Sequence, residues 1–173
     1  MALRYIVEVG DSVLEKRCRE VTEFNARLHT LLDDMRDTLL DSGGVGLAAP
    51  QVGVLRRVVL VMDTNREGLS DEEQIIELVN PEIVSFSGQQ TGAEGCLSNP
   101  GKYGVVTRPE EVTVKAFDRN GNAFEVTGSG LTARCFCHEI DHLEGRMFME
   151  LAERMLTDEE LAQMYGEEEE AEE

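Results

Sequence analysis

Five residues, His138-Glu139-Ile140-Asp141-His142, constrain this chain more than any other stretch of it. On a helix, side chains at i and i+4 lie one turn apart on the same face. Two imidazoles so placed can share one metal ion. The fold must then bring other residues to that face to complete the site. Glu139 projects about 100° round the helix, near the ion without having to bind it. That position suits a general base acting on a water held by the metal. The plain alternative is a surface helix with two solvated histidines.

A catalytic site of this type needs a third protein ligand and an open position. Phe148 stands where the longer pattern H-E-x-x-H-x-x-G-x-x-H has its last His, and it cannot bind metal. The only other histidine, His29, falls in an amphipathic segment and reads as a solvated or capping side chain. The third ligand is therefore a Cys, an Asp or a Glu. Cys135 and Cys137 share the helix with the two histidines, and their common backbone makes it hard for either thiol to reach the same ion. Both read as packed small residues, Cys135 also as part of the site wall. Cys96 lies in Glu94-Gly95-Cys96-Leu97-Ser98, where Gly95 lets thiolate and backbone come close to a ligand.

The rest of the chain supplies the frame. Residues 25–42 carry Leu28, Leu31, Leu32, Met35 and Leu39 on one helical face, with Asn25 to cap and Gly43-Gly44 to stop. Residues 57–62 read as a buried strand, and 75–80 and 83–86 as strands on either side of Pro81. Residues 112–117 and 123–127 form a hairpin around Asn120-Gly121. A second helix spans 129–143, capped by Ser129 and stopped by Gly145. Thr157-Asp158-Glu159-Glu160 opens a short last helix with a capping-box pattern. Helices at both ends with strands between predict an α+β fold, antiparallel or mixed strands packed round a central helix that carries H-E-x-x-H.

At 173 residues, 41% of them hydrophobic, the chain fits one domain with a real core. Residues 1–165 read as that domain. Six of the last seven residues are Glu, so 166–173 reads as an acidic disordered tail. The net charge of −19 argues against a large phosphate-tracking face. No apolar run approaches the 20 or so residues of a membrane span, and the first residues lack signal or transit character. A cytoplasmic protein is expected, with its four Cys reduced.

A Gly-rich loop, Gly43 to Gly53, follows the first helix. It fails the dinucleotide spacing and carries no Gly-Lys-Ser/Thr. It is either a helix end running into a tight turn or a substrate-facing loop in which Gln51 offers an amide N–H.

Three segments together resemble the peptide deformylase family: Gly44-Val45-Gly46-Leu47-Ala48-Ala49-Pro50-Gln51, Glu94-Gly95-Cys96-Leu97-Ser98 and His138-Glu139-Ile140-Asp141-His142-Leu143. They match its three signature motifs in order, and Asn80-Pro81 and Arg108-Pro109 are also similar to it. The resemblance implies that Cys96, His138 and His142 hold one divalent metal ion per chain. Fe²⁺ would serve in the cell, with Ni²⁺, Co²⁺ or Zn²⁺ tolerated. Glu139 would take the proton from the attacking water and later deliver it to the leaving amine. The Gln51 amide and the Leu97 N–H would bind the oxyanion. Val45, Gly46 and Gly95 would line the cleft, and Leu131, Cys135 and the stem of Arg134 would wall an apolar methionine pocket. The substrates implied are N-formylmethionyl peptides or nascent chains, met beside the ribosome by a monomer, with no nucleic acid or membrane involved. Two positions depart from the pattern: Cys137 stands where the family has Gln, and Ser12 where it has Pro.

Three other functions compete. A zinc peptidase would need a wider cleft and lacks the downstream His. A non-catalytic peptide-binding relative would be expected to have lost site residues, and none is lost. A thiol redox pair at Cys135 and Cys137 would place its side chains about 200° apart on one helix.

Overall fold

The apolar stripe over the first helical segment closes on the structure, a computed structural model that describes residues 2–172, with side chains through 167. Helix α1 (Ala26–Ser42) starts where Asn25 accepts a hydrogen bond from the Leu28 N–H and ends at Gly43, which is left-handed. Its buried face is the predicted one, Leu28, Leu31, Leu32, Met35 and Leu39.

Strand β1 (Gly46–Ala48) follows, then a short 3-10 turn over Ala49–Val52, then β2 (Val58–Met62). A one-turn helix, α2 (Asp71–Gln74), leads into β3 (Ile75–Ser87). β6 (Glu111–Phe117) and β7 (Ala123–Ser129) form the predicted hairpin. Its turn is held by Asp118, whose Oδ1 accepts from the N–H groups of Asn120 and Asn122. These strands make one antiparallel sheet in the order β1-β2-β3-β6-β7. β2 shows how it is sandwiched: Val58, Leu60 and Met62 face the α1 side, and Val59 and Val61 face the other. Burying each such side chain contributes about 1.5–3 kcal/mol.

Pro81 does not split β3 in two, as the sequence predicts. One strand runs through it, with a shift of register between Val79 and Glu82. Proline has no N–H for the ladder and is accommodated at such an irregularity. Asn80 beside it takes a positive φ of 51° and locks its side chain onto both backbone groups of Val21.

A second antiparallel sheet joins β4 (Gln90–Cys96), β5 (Asn99–Arg108) and β8 (Arg154–Met155), none of which the sequence reading picked out. Helix α3 (Leu131–Leu143) carries the His pair. One side of it packs on the face of the first sheet that holds Val59, Val61, Ile76 and Leu78. From α3, Arg134 reaches the Val106 carbonyl of β5.

Gly130, not Ser129, is the N-cap of α3. Ser129 is still paired with Glu111 in the β6–β7 ladder. The chain must turn from strand to helix in one residue, at φ 61°, and glycine takes that conformation without steric cost. No side chain caps this end, and the first turn is instead tied down by Thr132, whose Oγ1 donates to the buried Asp63 (3.0 Å).

Helix α4 spans Asp158–Glu172, so it is longer than the short helix predicted and takes in residues 166–172 of the acidic run predicted to be a disordered tail, Glu173 lying outside the described residues. Glu, Ala and Gln are good helix formers, and the expected capping box is present between Thr157 and Glu160. His29 is half-buried rather than solvated or capping. Its Nε2 lies 2.7 Å from the Arg119 carbonyl and ties α1 to the β6–β7 turn. Among the described residues, no helix is long and apolar enough to cross a membrane.

Candidate active site

An open cleft of about 580 Å³ lies where β1 and the glycines before it face β4, the start of β5 and α3. Of the residues singled out in the sequence, Val45, Gly46, Gln51, Gly95, Cys96, Leu97, Leu131, Arg134, Cys135, His138 and Glu139 all line it. His142 sits beneath, 1% exposed.

One turn of α3 separates His138 from His142, and their rings meet edge to face at 4.9 Å. Cys96 arrives from the end of β4, its Sγ 3.4 Å from His142 Nε2. The ligand atoms of Cys96, His138 and His142 all lie within 4.8 Å of one another. His138 turns its Nδ1 to Glu94 Oε2 at 2.7 Å, which leaves its Nε2 as the ring's ligand atom on the Cys96 side. A thiolate with two imidazoles is a donor set of intermediate softness, suited to Zn²⁺, Fe²⁺, Ni²⁺ or Co²⁺ rather than Mg²⁺ or Ca²⁺. Two buried polar atoms beside it, Glu139 Oε1 and His142 Nδ1, have no hydrogen-bond partner. The residues therefore fit a divalent ion with a polar guest next to it.

Electrostatics around the site follow from burial. Desolvation pushes the Glu139 carboxyl up to about 7 and the His142 imidazole down to about 3. Glu94 is also buried, which alone would raise it. Hydrogen bonds and charge from His138 and Arg108 outweigh burial and hold it down at about 2. Cys135 and Cys137 are buried, and desolvation raises both thiols, Cys137 to about 11. Cys137 is thus a packed neutral thiol. Cys135 Sγ donates to the Val45 carbonyl (3.4 Å) and forms part of the cleft wall.

Gln51 sits on the 3-10 turn after β1. Its Oε1 accepts from the Ala48 N–H (2.9 Å), which aims the amide NH₂ at Ser98 Oγ (3.1 Å) and Cys96 Sγ (3.5 Å). Leu97 follows Cys96 at the turn between β4 and β5. Gly46 is required by proximity, since a Cβ there would lie 2.5 Å from Cys135 Sγ and 2.6 Å from Glu139 Oε2.

The sequence reading missed the ion network behind His138. Glu94 receives Arg108 through two bonds (3.1 and 2.7 Å) and Arg134 through a third (2.9 Å). Arg108 also donates to Asp141 (2.7 Å). Glu94 and Asp141 both stand inside recognised motifs, the one signal that could have marked them. Lys102 and Tyr103, also cleft-lining, carried no sequence signal.

A nitrogen-and-sulfur donor set of intermediate softness, next to a buried carboxylate with one oxygen that accepts no hydrogen bond, is chemistry for activating water, and it places this cleft among the metal-dependent hydrolases. The chain belongs to the polypeptide deformylase family, whose sequence model matches residues 3–157. It is 58% identical over 150 residues to a peptide deformylase of Lachnoclostridium phytofermentans, covering 87% of this chain and 89% of that one. It is 46% identical over 166 residues to peptide deformylase 1 of Bacillus subtilis, covering 96% and 100%. Among solved structures, a peptide deformylase from Legionella pneumophila superposes with a TM-score of 0.80 at 41% identity, covering 96% of this chain and 98% of that one.

Proposed function

We propose that this chain removes the formyl group from the N-terminal formylmethionine of newly made proteins and releases formate. The observation that carries this is the convergence of Cys96, His138 and His142 within 4.8 Å beside the buried Glu139, whose Oε1 accepts no hydrogen bond, at the wall of an open cleft. In this reading α3 is the central helix of the fold, and both sheets present their functional residues to it.

Cys96, His138 and His142 would hold one divalent ion, Fe²⁺ in the cell, whose Lewis acidity would lower the pKa of water towards neutrality. Glu139, buried and raised towards neutrality, accepts the proton of the attacking water and hands it to the leaving amine as the C–N bond breaks. The Gln51 amide and the Leu97 N–H donate to the oxygen that becomes negative when the formyl carbon turns tetrahedral. The peptide runs as an added strand along Val45 and Gly46 on one side and Gly95 on the other. Leu131, Cys135 and the stem of Arg134 wall the methionine pocket, and the Arg134 guanidinium is held on Glu94. The enzyme works in the cytoplasm, as a monomer, on nascent chains near the ribosome.

Formate release from formyl-Met-Ala-Ser, followed beside cleavage of an unformylated peptide of the same length, tests the reaction. Release of formate without internal cleavage is expected, and internal cleavage would favour a peptidase. An Fe²⁺ ion beside a thiolate is open to oxidation, so iron-loaded protein is expected to lose activity in air while the Ni²⁺ form keeps it. Equal decay of both forms would contradict the assignment of iron.

A further inference from the structure

The residues assigned to the oxyanion come from two different sheets. Gln51 follows β1 of the first sheet, and Leu97 lies in the turn between β4 and β5 of the second. A third piece of chain touches both places. The Val7 N–H donates to the Gln51 carbonyl at 2.8 Å, and the Val9 N–H donates to the carbonyl of Ser98, next to Leu97, also at 2.8 Å. The segment is tied down at its start, where Arg4 N donates to Thr38 Oγ1 and Arg4 Nε to Asp34 Oδ2 on α1, both at 3.0 Å. Between these anchors Ile6 packs into the same apolar cluster as Leu97.

We infer that residues 4–9 are a strap that sets the separation of Gln51 and Leu97, with the Val7 and Val9 N–H groups as positioning residues for the oxyanion site. The inference rests on the reading of Gln51 and Leu97 as the two donors. Such donors act within 2.7–3.1 Å of the developing charge, and a displacement of 1 Å can cost about 10²-fold in rate. Two donors that follow strands of two separate sheets hold that tolerance only if something spans them. The Gln51 Nε2 bond to Ser98 Oγ spans them on the cleft side, and the strap does so through main chain. The side chain of Val9 is 49% exposed, so its contribution lies in its N–H.

The variants Val9→Pro, which removes that N–H, and Val9→Ala, which keeps it, separate the two contributions. With one metal per chain verified, Val9→Pro is expected to lower kcat about tenfold and to move KM less than about twofold, because the donors act only in the transition state. Val9→Ala is expected to match the wild type. The Leu97 amide and Gln51 side-chain NH₂ signals in ¹⁵N NMR are expected to shift or broaden in Val9→Pro alone. A Val9→Pro protein that melts lower but keeps its kcat and these signals would overturn the inference, since that is a structural role only. If Val9→Pro does not fold, the double variant Arg4→Ala with Thr38→Val, which removes both the side-chain bond to Asp34 and the acceptor of the Arg4 N–H, carries the test, with a fall in kcat at constant KM expected and an unchanged kcat overturning it. Gln51→Ala distinguishes the two failures. If it costs about 10²-fold while the strap variants cost nothing, only the strap is wrong. If it costs nothing, the oxyanion reading itself falls.

Discussion

Glu94 Oε2 stands 2.7 Å from His138 Nδ1, and the same carboxylate takes hydrogen bonds from Arg108 and Arg134. One carboxylate thus fixes the ring of a proposed metal ligand and joins it to two cations drawn from β5 and α3. A partner on the far nitrogen sets a ligand's tautomer and its orientation. Glu94→Gln is therefore expected to weaken metal binding 10–100-fold, measured by competition with a chromophoric chelator. Glu94→Ala is expected to be worse, because it leaves Arg108 and Arg134 facing each other without their anion, at a cost of about 3–5 kcal/mol. Unchanged metal affinity in Glu94→Gln would show that the contact does not orient the ligand.

Gly46 brings β1 against α3, and no side chain fits between them. Gly46→Ala drives a methyl group towards Cys135 Sγ and Glu139 Oε2. The expected result is a loss of about 1–3 kcal/mol from overpacking and a fall in kcat of about 10²-fold from displacement of the carboxylate. Thermal melting and steady-state kinetics measure the two effects separately. A full kcat would mean that Glu139 can move without penalty.

Away from the cleft, Glu77 on β3 is partly buried yet holds its proton less tightly than an ordinary carboxylic acid. Burial raises its pKa, but the hydrogen bonds and charges of Arg119 and Arg36 outweigh it. The contribution of a depressed carboxyl is fully present above its unfolded value of 4.5 and is lost as pH falls through the lower folded value. Glu77→Gln is expected to cost about 1–3 kcal/mol at pH 7. Its melting temperature should converge with that of the wild type as pH drops below 4.5. A gap that does not narrow in acid would remove the ion pairs as its cause.

Local periodicity explains what could be read in advance. The leucines of α1, the alternation in β6 and β7, and the His138–His142 spacing are each set by neighbours within one or two turns. On spacing alone Cys96 is one of several candidates, and only the resemblance singles it out. The network of Glu94, Arg108 and Asp141 was not legible, because nothing local couples positions so far apart, and a lone charge reads as solvated until its partner is known. β4 and β5 carry Gly92, Gly95, Gly101, Gly104 and Pro100, which argue against strands. They pair nonetheless because glycine lets Tyr103 lie over Gly95 and Phe148 approach Gly104. In the acidic terminus, charge repulsion argues for disorder, yet helix propensity prevails and the helix runs on to Glu172.

The most direct test of the account compares Glu139→Ala with Cys96→Ala, reading bound metal and formate release from the same preparations. Glu139→Ala is expected to keep one divalent ion per chain and to lose about 10²–10⁴ in rate. Cys96→Ala is expected to lose the ion and the activity together, and a chelator should silence the wild type. A Glu139→Ala protein that holds its metal and releases formate at the wild-type rate would contradict the account.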